Sequence, residues 1–224
     1  MLRIIAGEFR SRLLETPPDA ATRPMTDRVK ESLFNLLRGW FEGATVLDLF
    51  AGVGTLGLEA ISRGAAHAHM VERDRAIYRM LRRNIDELGC GDRVEAVQAD
   101  ALSAVALAGV RRPLDLIFID PPYPEMIDDR GRRRVLEQAA RCRGLMGDRG
   151  FLTLRTPLDP AEHAHEIPGF EGPEVHRYGQ EMRVLLYAPS SKGGDPLAAA
   201  RPEGGGGDGT GAEAPRAGDR PSGT

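Results

Sequence analysis

The sequence predicts an α/β fold with a mostly parallel β-sheet, and three observations support this. Short apolar runs alternate with helical segments from Ala44 to Ala188, a glycine-rich turn follows the first apolar run, and an Asp-Pro-Pro-Tyr turn follows the fourth. Repeated βα units give parallel strands covered by helices on both faces. Such sheets bind ligands beyond the carboxyl ends of their strands, which is where both turns lie.

Residues 1–40 are predicted to form an N-terminal extension made of a β-hairpin and a helix. Leu2–Ala6 and Arg12–Glu15 have the pattern of short strands. Apolar residues from Asp27 to Trp40 recur at helical spacing, and Thr26 stands where a helix N-cap is expected.

Residues 41–188 are predicted to form the central domain with seven strands. The first five strands are predicted at Thr45–Phe50, His67–Glu72, Arg93–Gln98, Leu114–Ile119 and Gly150–Arg155. Helices are predicted at Leu56–Ile61, Arg75–Leu88, Leu102–Ala108 and Arg132–Leu145. Glu174–Tyr178 and Arg183–Tyr187 are close enough to form a hairpin that adds an antiparallel strand.

Residues 189–224 are rich in glycine, proline, alanine and aspartate, and Leu197 is their only large apolar side chain. Such a segment buries too little apolar surface to offset its chain entropy, so we predict a disordered tail.

The composition favours a cytoplasmic protein. Cys90 and Cys142 are far apart and form no CxxC pair, which argues against a disulfide scaffold or a zinc site. His163 and His165 have metal-ligand spacing but no accompanying ligands, so we expect an exposed loop or helix end and no metal. The N-terminus lacks the apolar stretch of a signal peptide, and no segment has the length of a membrane span.

A glycine-rich loop follows the first strand of the central domain. Gly52, Gly54 and Gly57 match the GxGxxG pattern, and Glu72 ends the next strand at the distance expected of a ribose-binding acid. This pattern alone leaves an NAD-dependent oxidoreductase open.

Four acids end four successive strands: Asp48, Glu72, Asp100 and Asp120. Opposite charges a few ångström apart attract by about 4 kcal/mol at an effective dielectric constant near 20, so an acidic pocket favours a cation over a pyrophosphate. We therefore expect the sulfonium compound S-adenosyl-L-methionine rather than NAD.

The tetrad Asp120-Pro121-Pro122-Tyr123 is the candidate catalytic motif. The two prolines have no N–H, so their backbone can only accept hydrogen bonds, and the tyrosine ring offers a face for a nucleobase. These groups suit an exocyclic amine, whose two hydrogens need acceptors.

If the substrate is RNA, as the family resemblance given in the next paragraph implies, basic residues of the N-terminal extension are candidates for contacts with its phosphates: Arg3, Arg10, Arg12, Arg23, Arg28 and Lys30. Acids interleave with them, so a solvated surface is the alternative. Arg130 and the run 132–134 form a second basic cluster after the tetrad.

The glycine loop, the acids, the tetrad and the N-terminal segments Arg3–Gly7, Thr22–Pro24 and Asp27–Leu37 resemble the RsmD family. Those enzymes are class I S-adenosylmethionine-dependent methyltransferases that modify N2 of one guanine in 16S rRNA. The resemblance implies a Rossmann-like fold, a small-ribosomal-subunit substrate and a monomer. It also implies a cofactor site formed by Asp48, Phe50, Ala51, Gly52, Gly54, Glu72, Asp100 and Ala101. In that site Glu72 binds the ribose hydroxyls and Asp100 the adenine amine.

Three alternatives stay open on the sequence. A DNA amino-methyltransferase uses the same tetrad on adenine N6 or cytosine N4, although no room for a target-recognition insertion is visible between Asp48 and Tyr187. The others are the NAD-dependent oxidoreductase and a catalytically silent RNA-binding assembly factor.

Overall fold

The computed structural model describes residues 2–18 and 25–190. Its strands are β1 (Leu2–Arg3), β2 (Leu13–Leu14), β3 (Thr45–Leu49), β4 (His67–Glu72), β5 (Val94–Gln98), β6 (Leu114–Ile119), β7 (Met146–Thr156), β8 (Phe170–Tyr178) and β9 (Met182–Pro189). Its α-helices are α1 (Asp27–Leu36), α2 (Gly57–Ser62), α3 (Arg75–Leu88), α4 (Tyr123–Ile127) and α5 (Asp129–Cys142). All but the first two residues of the predicted tail, 189–224, lie outside the described part.

The central sheet has seven strands in the order β5-β4-β3-β6-β7-β9-β8. Strands β3 to β7 run parallel, and β9 runs antiparallel to both of its neighbours, β7 and β8. The predicted fold class, with its antiparallel C-terminal strand, is therefore confirmed. After β3 the chain continues to β4 on one side and later returns to β6 on the other, so the strand order reverses between β3 and β6. Ligand crevices of α/β proteins lie at such reversals.

Both faces of the sheet are covered because its central strands are apolar on both sides. Val46, Leu116 and Phe118 face one core, while Leu47 and Ile117 face the other. All five side chains are fully buried. A strand that is buried on both faces has a continuous run of apolar residues rather than an alternating pattern. The apolar run Leu114–Ile119 is of this kind, and the predicted bounds of β6 are therefore the observed ones.

The N-terminal hairpin and α1 pack into the same core as the sheet. Ile4, Leu33 and Phe34 belong to that core, and Phe34 lies 5.7 Å from Phe118 between ring centroids. The predicted cap of α1 is confirmed, because the Thr26 hydroxyl accepts a hydrogen bond from the Val29 amide.

Several element bounds differ from the sequence prediction. α1 ends at Leu36 rather than Trp40, where the chain turns and the indole packs edge-on against Phe151. The predicted helix Leu102–Ala108 is a short 3₁₀ turn at Ala104–Leu107. α5 begins earlier than predicted because Asp128 accepts a hydrogen bond from the Gly131 amide and caps it.

The sequence predicts that the segment with His163 and His165 is exposed. For His165 this prediction is wrong. The His165 side chain is 2% exposed, and its ring nitrogens contact the Thr156 hydroxyl at 3.2 Å and the His163 carbonyl at 2.7 Å. Burial lowers the pKa of His165. This histidine therefore fastens the segment to the end of β7.

None of the described helices is long and apolar enough to cross a membrane.

Candidate active site

The glycine loop and the tetrad lie side by side at the strand-order reversal. Leu49 at the end of β3 pairs with Ile119 at the end of β6, and the Asp120 amide approaches the Leu49 carbonyl at 3.5 Å. The two motifs, which are separated in sequence, therefore form one site at the carboxyl edge.

The three glycines of the loop serve different purposes. Gly52 has φ +57°, and a Cβ placed there would meet no atom within 4 Å, so its backbone borders open space. A Cβ at Gly54 would lie 2.7 Å from Leu58 and Leu81, and one at Gly57 would lie 2.3 Å from Met70. Gly52 thus leaves room for a ligand, whereas Gly54 and Gly57 allow the loop and α2 to pack closely. Glycine allows both because it has no Cβ, so its backbone can come close to a ligand or to a neighbouring element.

The loop also holds one residue in an uncommon conformation. Phe50 adopts φ +67°, and the following Ala51 is buried and donates its amide to the Val71 carbonyl at 2.9 Å. The loop is therefore anchored to β4 next to the open face of Gly52.

Asp48 is buried beneath this loop. Its Oδ2 accepts a hydrogen bond from the Gly57 amide at 2.9 Å, while its Oδ1 is buried without a hydrogen-bond partner among the described residues. Burial, followed by the nearby charges of Asp120 and Glu72, raises the pKa of Asp48 to about 8. With its pKa raised this far, Asp48 adds less negative charge to the pocket at neutral pH than its position in the sequence suggested. The unpaired Oδ1 fits a cationic or N–H donor on a bound ligand.

Glu72 ties the loop to the end of β4. Its carboxylate accepts hydrogen bonds from the Gly52 amide at 3.0 Å and from the Asp74 amide at 2.7 Å. It is half-buried, so one side of the carboxylate remains accessible to hydroxyl groups.

Asp100 and Ala101 follow β5. The exposed Asp100 carboxylate accepts a hydrogen bond from the Leu102 amide at 2.9 Å and lies 3.6 Å from the Arg134 guanidinium. Ala101 is buried, and its carbonyl accepts a hydrogen bond from Gln138. Of the four predicted acids, Asp100 and Asp120 each have an arginine partner, and the pKa of Asp48 is raised. The pocket is therefore less negative than the sequence suggested.

The tetrad presents a buried carboxylate. Asp120 forms an ion pair with Arg155 at the end of β7, next to it in the sheet because Ile119 pairs with Leu154. Burial raises the pKa of Asp120, and the charge of Arg155 opposes that shift. The Pro122 carbonyl accepts from the Glu125 amide at 3.0 Å, which leaves the Pro121 carbonyl as the second acceptor for an amine.

Tyr123 begins α4, a helix that the sequence prediction missed because the two prolines indicated a turn. Its ring is half-buried, and the Arg155 guanidinium carbon lies 5.1 Å from the ring centroid. Arg155 was also missed. The available signal was its position directly after the apolar run Phe151–Leu154, where a charged residue reaches the same edge as Asp120.

One predicted RNA contact is wrong. Lys30 is 2% exposed, its ammonium lies 3.3 Å from Glu59, and it donates a hydrogen bond to the Arg3 carbonyl at 2.5 Å. Burial lowers the pKa of Lys30, and Glu59 opposes this. Lys30 therefore holds the hairpin against α2 and does not face solvent.

Three of the other predicted contacts belong to the hairpin. Arg3 pairs with Asp27 at 2.9 Å, Arg12 donates to the Glu87 carbonyl at 2.9 Å, and Arg10 is exposed. The hairpin contacts the C-terminal ends of α2 and α3, where the Glu8 amide donates to the Ser62 carbonyl and Arg12 donates to the Glu87 carbonyl. Arg23 lies outside the described residues.

Arg28 is placed differently. It is exposed on the first turn of α1 and lines a groove that also includes Tyr123. In the second basic cluster, Arg132 is paired with Asp129 at 2.6 Å and Arg134 with Asp100. Within residues 2–18 and 25–190, no three His, Cys, Asp or Glu side chains form a group that could hold a metal ion.

The chain is similar to known proteins over most of its length. The family model described as "Conserved hypothetical protein 95" matches residues 2–187. A relative named ribosomal RNA small subunit methyltransferase D, from Escherichia coli, is 41% identical over 151 residues, which are 67% of this chain and 69% of the relative.

The chain belongs to the RsmD family.

Other members and solved structures extend the comparison. A Haemophilus influenzae protein of the same name is 37% identical over 127 residues, covering 54% of this chain and 64% of that protein. A solved Escherichia coli structure named as a methyltransferase has a TM-score of 0.69 and 31% identity, covering 84% of this chain and 97% of that one. Membership of the RsmD family identifies the chain as a methyltransferase and implies a methyl donor. It also removes the oxidoreductase that the glycine pattern had left open.

Proposed function

We propose that this RsmD-family protein transfers a methyl group from S-adenosyl-L-methionine to the exocyclic N2 of a guanine in 16S rRNA, acting in the cytoplasm as a monomer on the small ribosomal subunit. The supporting observation is the arrangement of the Asp120 carboxylate, the Pro121 carbonyl and the Tyr123 ring beside the glycine loop. The names of the relatives support the rRNA substrate.

The residues of the loop fit this cofactor. The open face at Gly52 admits the methionine part, the accessible side of Glu72 suits the ribose hydroxyls, and Asp100 stands at the next strand end for the adenine amine. The unpaired Oδ1 of Asp48 offers an acceptor to the amino group. When bound, S-adenosylmethionine supplies an electrophilic methyl group on a positively charged sulfur.

The protein's own contribution is to orient and polarise the amine. In guanine the N2 lone pair is delocalised into the ring, so N2 is a weak nucleophile. Hydrogen bonds from the –NH₂ group to the Asp120 carboxylate and the Pro121 carbonyl favour the pyramidal nitrogen that attacks in line. Positive charge grows on nitrogen during transfer, and a preorganised carboxylate stabilises charge where it develops. Alignment of the two reactants contributes as well.

Arg155 supports this role because its positive charge opposes the rise in the pKa of Asp120 that burial causes. Its guanidinium carbon also lies 5.1 Å from the centroid of the Tyr123 ring, on which an extruded base would stack. Extrusion costs a few kcal/mol, and stacking on an aromatic face offsets part of that cost.

The direct test is to map N2-methylguanosine in 16S rRNA from cells with and without the gene. We expect one guanine to lose its methyl group in the deletion strain and to regain it with the wild-type gene but not with the gene for Asp120→Ala. Identical methylation maps in both strains would refute the proposal.

A further inference from the structure

We propose that the groove between the start of α1 and the β8–β9 turn binds the single-stranded RNA next to the target base. This inference rests on the proposed function, because it assigns the nucleotides that flank the base at Tyr123. The groove has a volume of about 650 Å³, and Tyr123, the tetrad residue predicted to stack on the base, forms part of its wall.

The chemistry of the groove suits nucleotides. Its apolar walls include Val29, Tyr178 and Met182, and its cations are Arg28 and Arg177. Single-stranded nucleic acid binds where aromatic rings meet a cationic groove, since bases stack on the rings and phosphates contact the cations. Glu181 is the single acid among the lining residues, so the formal charge of the lining is positive.

The two cations differ in how they are held. Arg28 is exposed and has no ion pair or hydrogen bond with the described residues, so it is available to a phosphate. Arg177 is oriented by Asp159 at 3.2 Å, and Asp159 is also shared with Arg183. One cation is therefore free to move and the other is positioned.

Tyr178 fixes the groove in place. Its hydroxyl hydrogen-bonds the Ser32 hydroxyl at 2.9 Å, which connects the β8–β9 turn to α1 across the groove. Its half-buried ring packs partly against the core, so it forms a rigid wall. A second, more open groove along α1 shares Arg28 and Ser32 with the first and is also lined by Glu31, Asn35 and Leu36. It offers the RNA strand a path away from Tyr123, with Arg28 as its cation and Glu31 as its acid.

The first experiment measures equilibrium binding of a fluorescent single-stranded RNA decamer to the full chain without methyl donor. The variants are Arg28→Ala, Tyr178→Ala and Tyr178→Phe. The matched control is Arg111→Ala, an exposed arginine close to His67 at the amino edge of the sheet.

We expect Arg28→Ala to weaken binding several-fold and to reduce the slope of log affinity against log salt by about 0.7, the value for one phosphate contact to a single strand. Tyr178→Ala should weaken binding by about fivefold or more, as loss of one base stack does. Tyr178→Phe keeps the ring but loses the hydrogen bond to Ser32, so its affinity should fall between those of wild type and Tyr178→Ala.

A second measurement on the wild-type protein does not depend on how the variants fold. Addition of the RNA should slow amide hydrogen exchange at residues 178–182 and in the first turn of α1. Arg28→Ala binding as tightly as Arg111→Ala would overturn the inference, as would unchanged exchange in the groove. Protection by the RNA-free proteins of the small subunit but not by RNA would overturn it too, because the occupant would then be a protein. The proposed function fails separately, if wild-type protein transfers no methyl group to 16S rRNA.

Discussion

The guanidinium of Arg155 pairs with the carboxylate of Asp120 inside the candidate active site, where both side chains are largely buried. Burial alone favours the neutral carboxylic acid, which cannot accept two hydrogen bonds from an amine as well as a carboxylate does. The positive charge of Arg155 opposes that effect. Arg155 at the end of β7 therefore influences the protonation of Asp120, the carboxylate that follows β6.

Replacement of Arg155 by glutamine should shift the pH dependence of kcat. Without the arginine the pKa of Asp120 rises further, so the acid limb of the profile, where activity falls as the carboxylate is protonated, moves to higher pH. Arg155→Lys should restore much of the wild-type profile because it returns the charge. An equal loss of kcat at every pH would show that Arg155 acts only through folding.

Removal of the charge on Asp120 should affect catalysis far more than cofactor binding. Asp120→Asn is expected to lower kcat by about 100-fold or more, the loss seen when one preorganised group at a developing charge is removed. Calorimetry should show cofactor affinity within a few-fold of wild type. Because this variant leaves Arg155 buried without its partner, thermal unfolding must first show that the variant is folded.

Cofactor binding should release a proton through Asp48. This carboxyl has a pKa of about 8 in the ligand-free protein, so it is mostly protonated at pH 7. A cationic amino group at its Oδ1 favours the ionised form and lowers that pKa, so close to one proton leaves at pH 7. Calorimetry in buffers of different ionisation enthalpy measures this release. Affinity should therefore increase from pH 6 to pH 8 in wild type, and Asp48→Asn should show neither effect.

Substitution of Lys30 should reduce stability rather than RNA affinity. Lys30→Met leaves Glu59 buried with Arg63 and two backbone amides as its remaining partners, and loss of one member of a buried pair costs about 3 kcal/mol. Denaturant unfolding measures this cost. Arg28→Ala, on the same helix but exposed, is the control and should change stability by less than about 0.5 kcal/mol. If Lys30→Met kept full stability but bound RNA weakly, the buried role would be wrong.

Much of the fold could be predicted because its elements have local signals. The apolar runs of β4 and β6 and the amphipathic pattern of α3 gave the observed bounds. The carboxyl-edge position of Asp48, Glu72 and Asp120 followed from the parallel sheet.

The remaining features depend on contacts that no local pattern reports. Lys30 is separated in sequence from Glu59, so its burial is decided by how α1 packs on α2. The pairing of Arg155 with Asp120 depends on the register of β6 and β7. The neutral state of Asp48 at pH 7 follows from its burial beneath the loop, which composition does not reveal.

The central claim is that Asp120 directs methyl transfer to the exocyclic amine of a guanine in 16S rRNA. Its most direct test incubates purified protein, S-adenosylmethionine with a deuterated methyl group and small subunits from the deletion strain, followed by nucleoside mass spectrometry. We predict deuterated N2-methylguanosine at a single position with wild type and almost none with Asp120→Asn. A label on a ring nitrogen or a ribose, or equal labelling by the Asp120→Asn variant, would contradict the account.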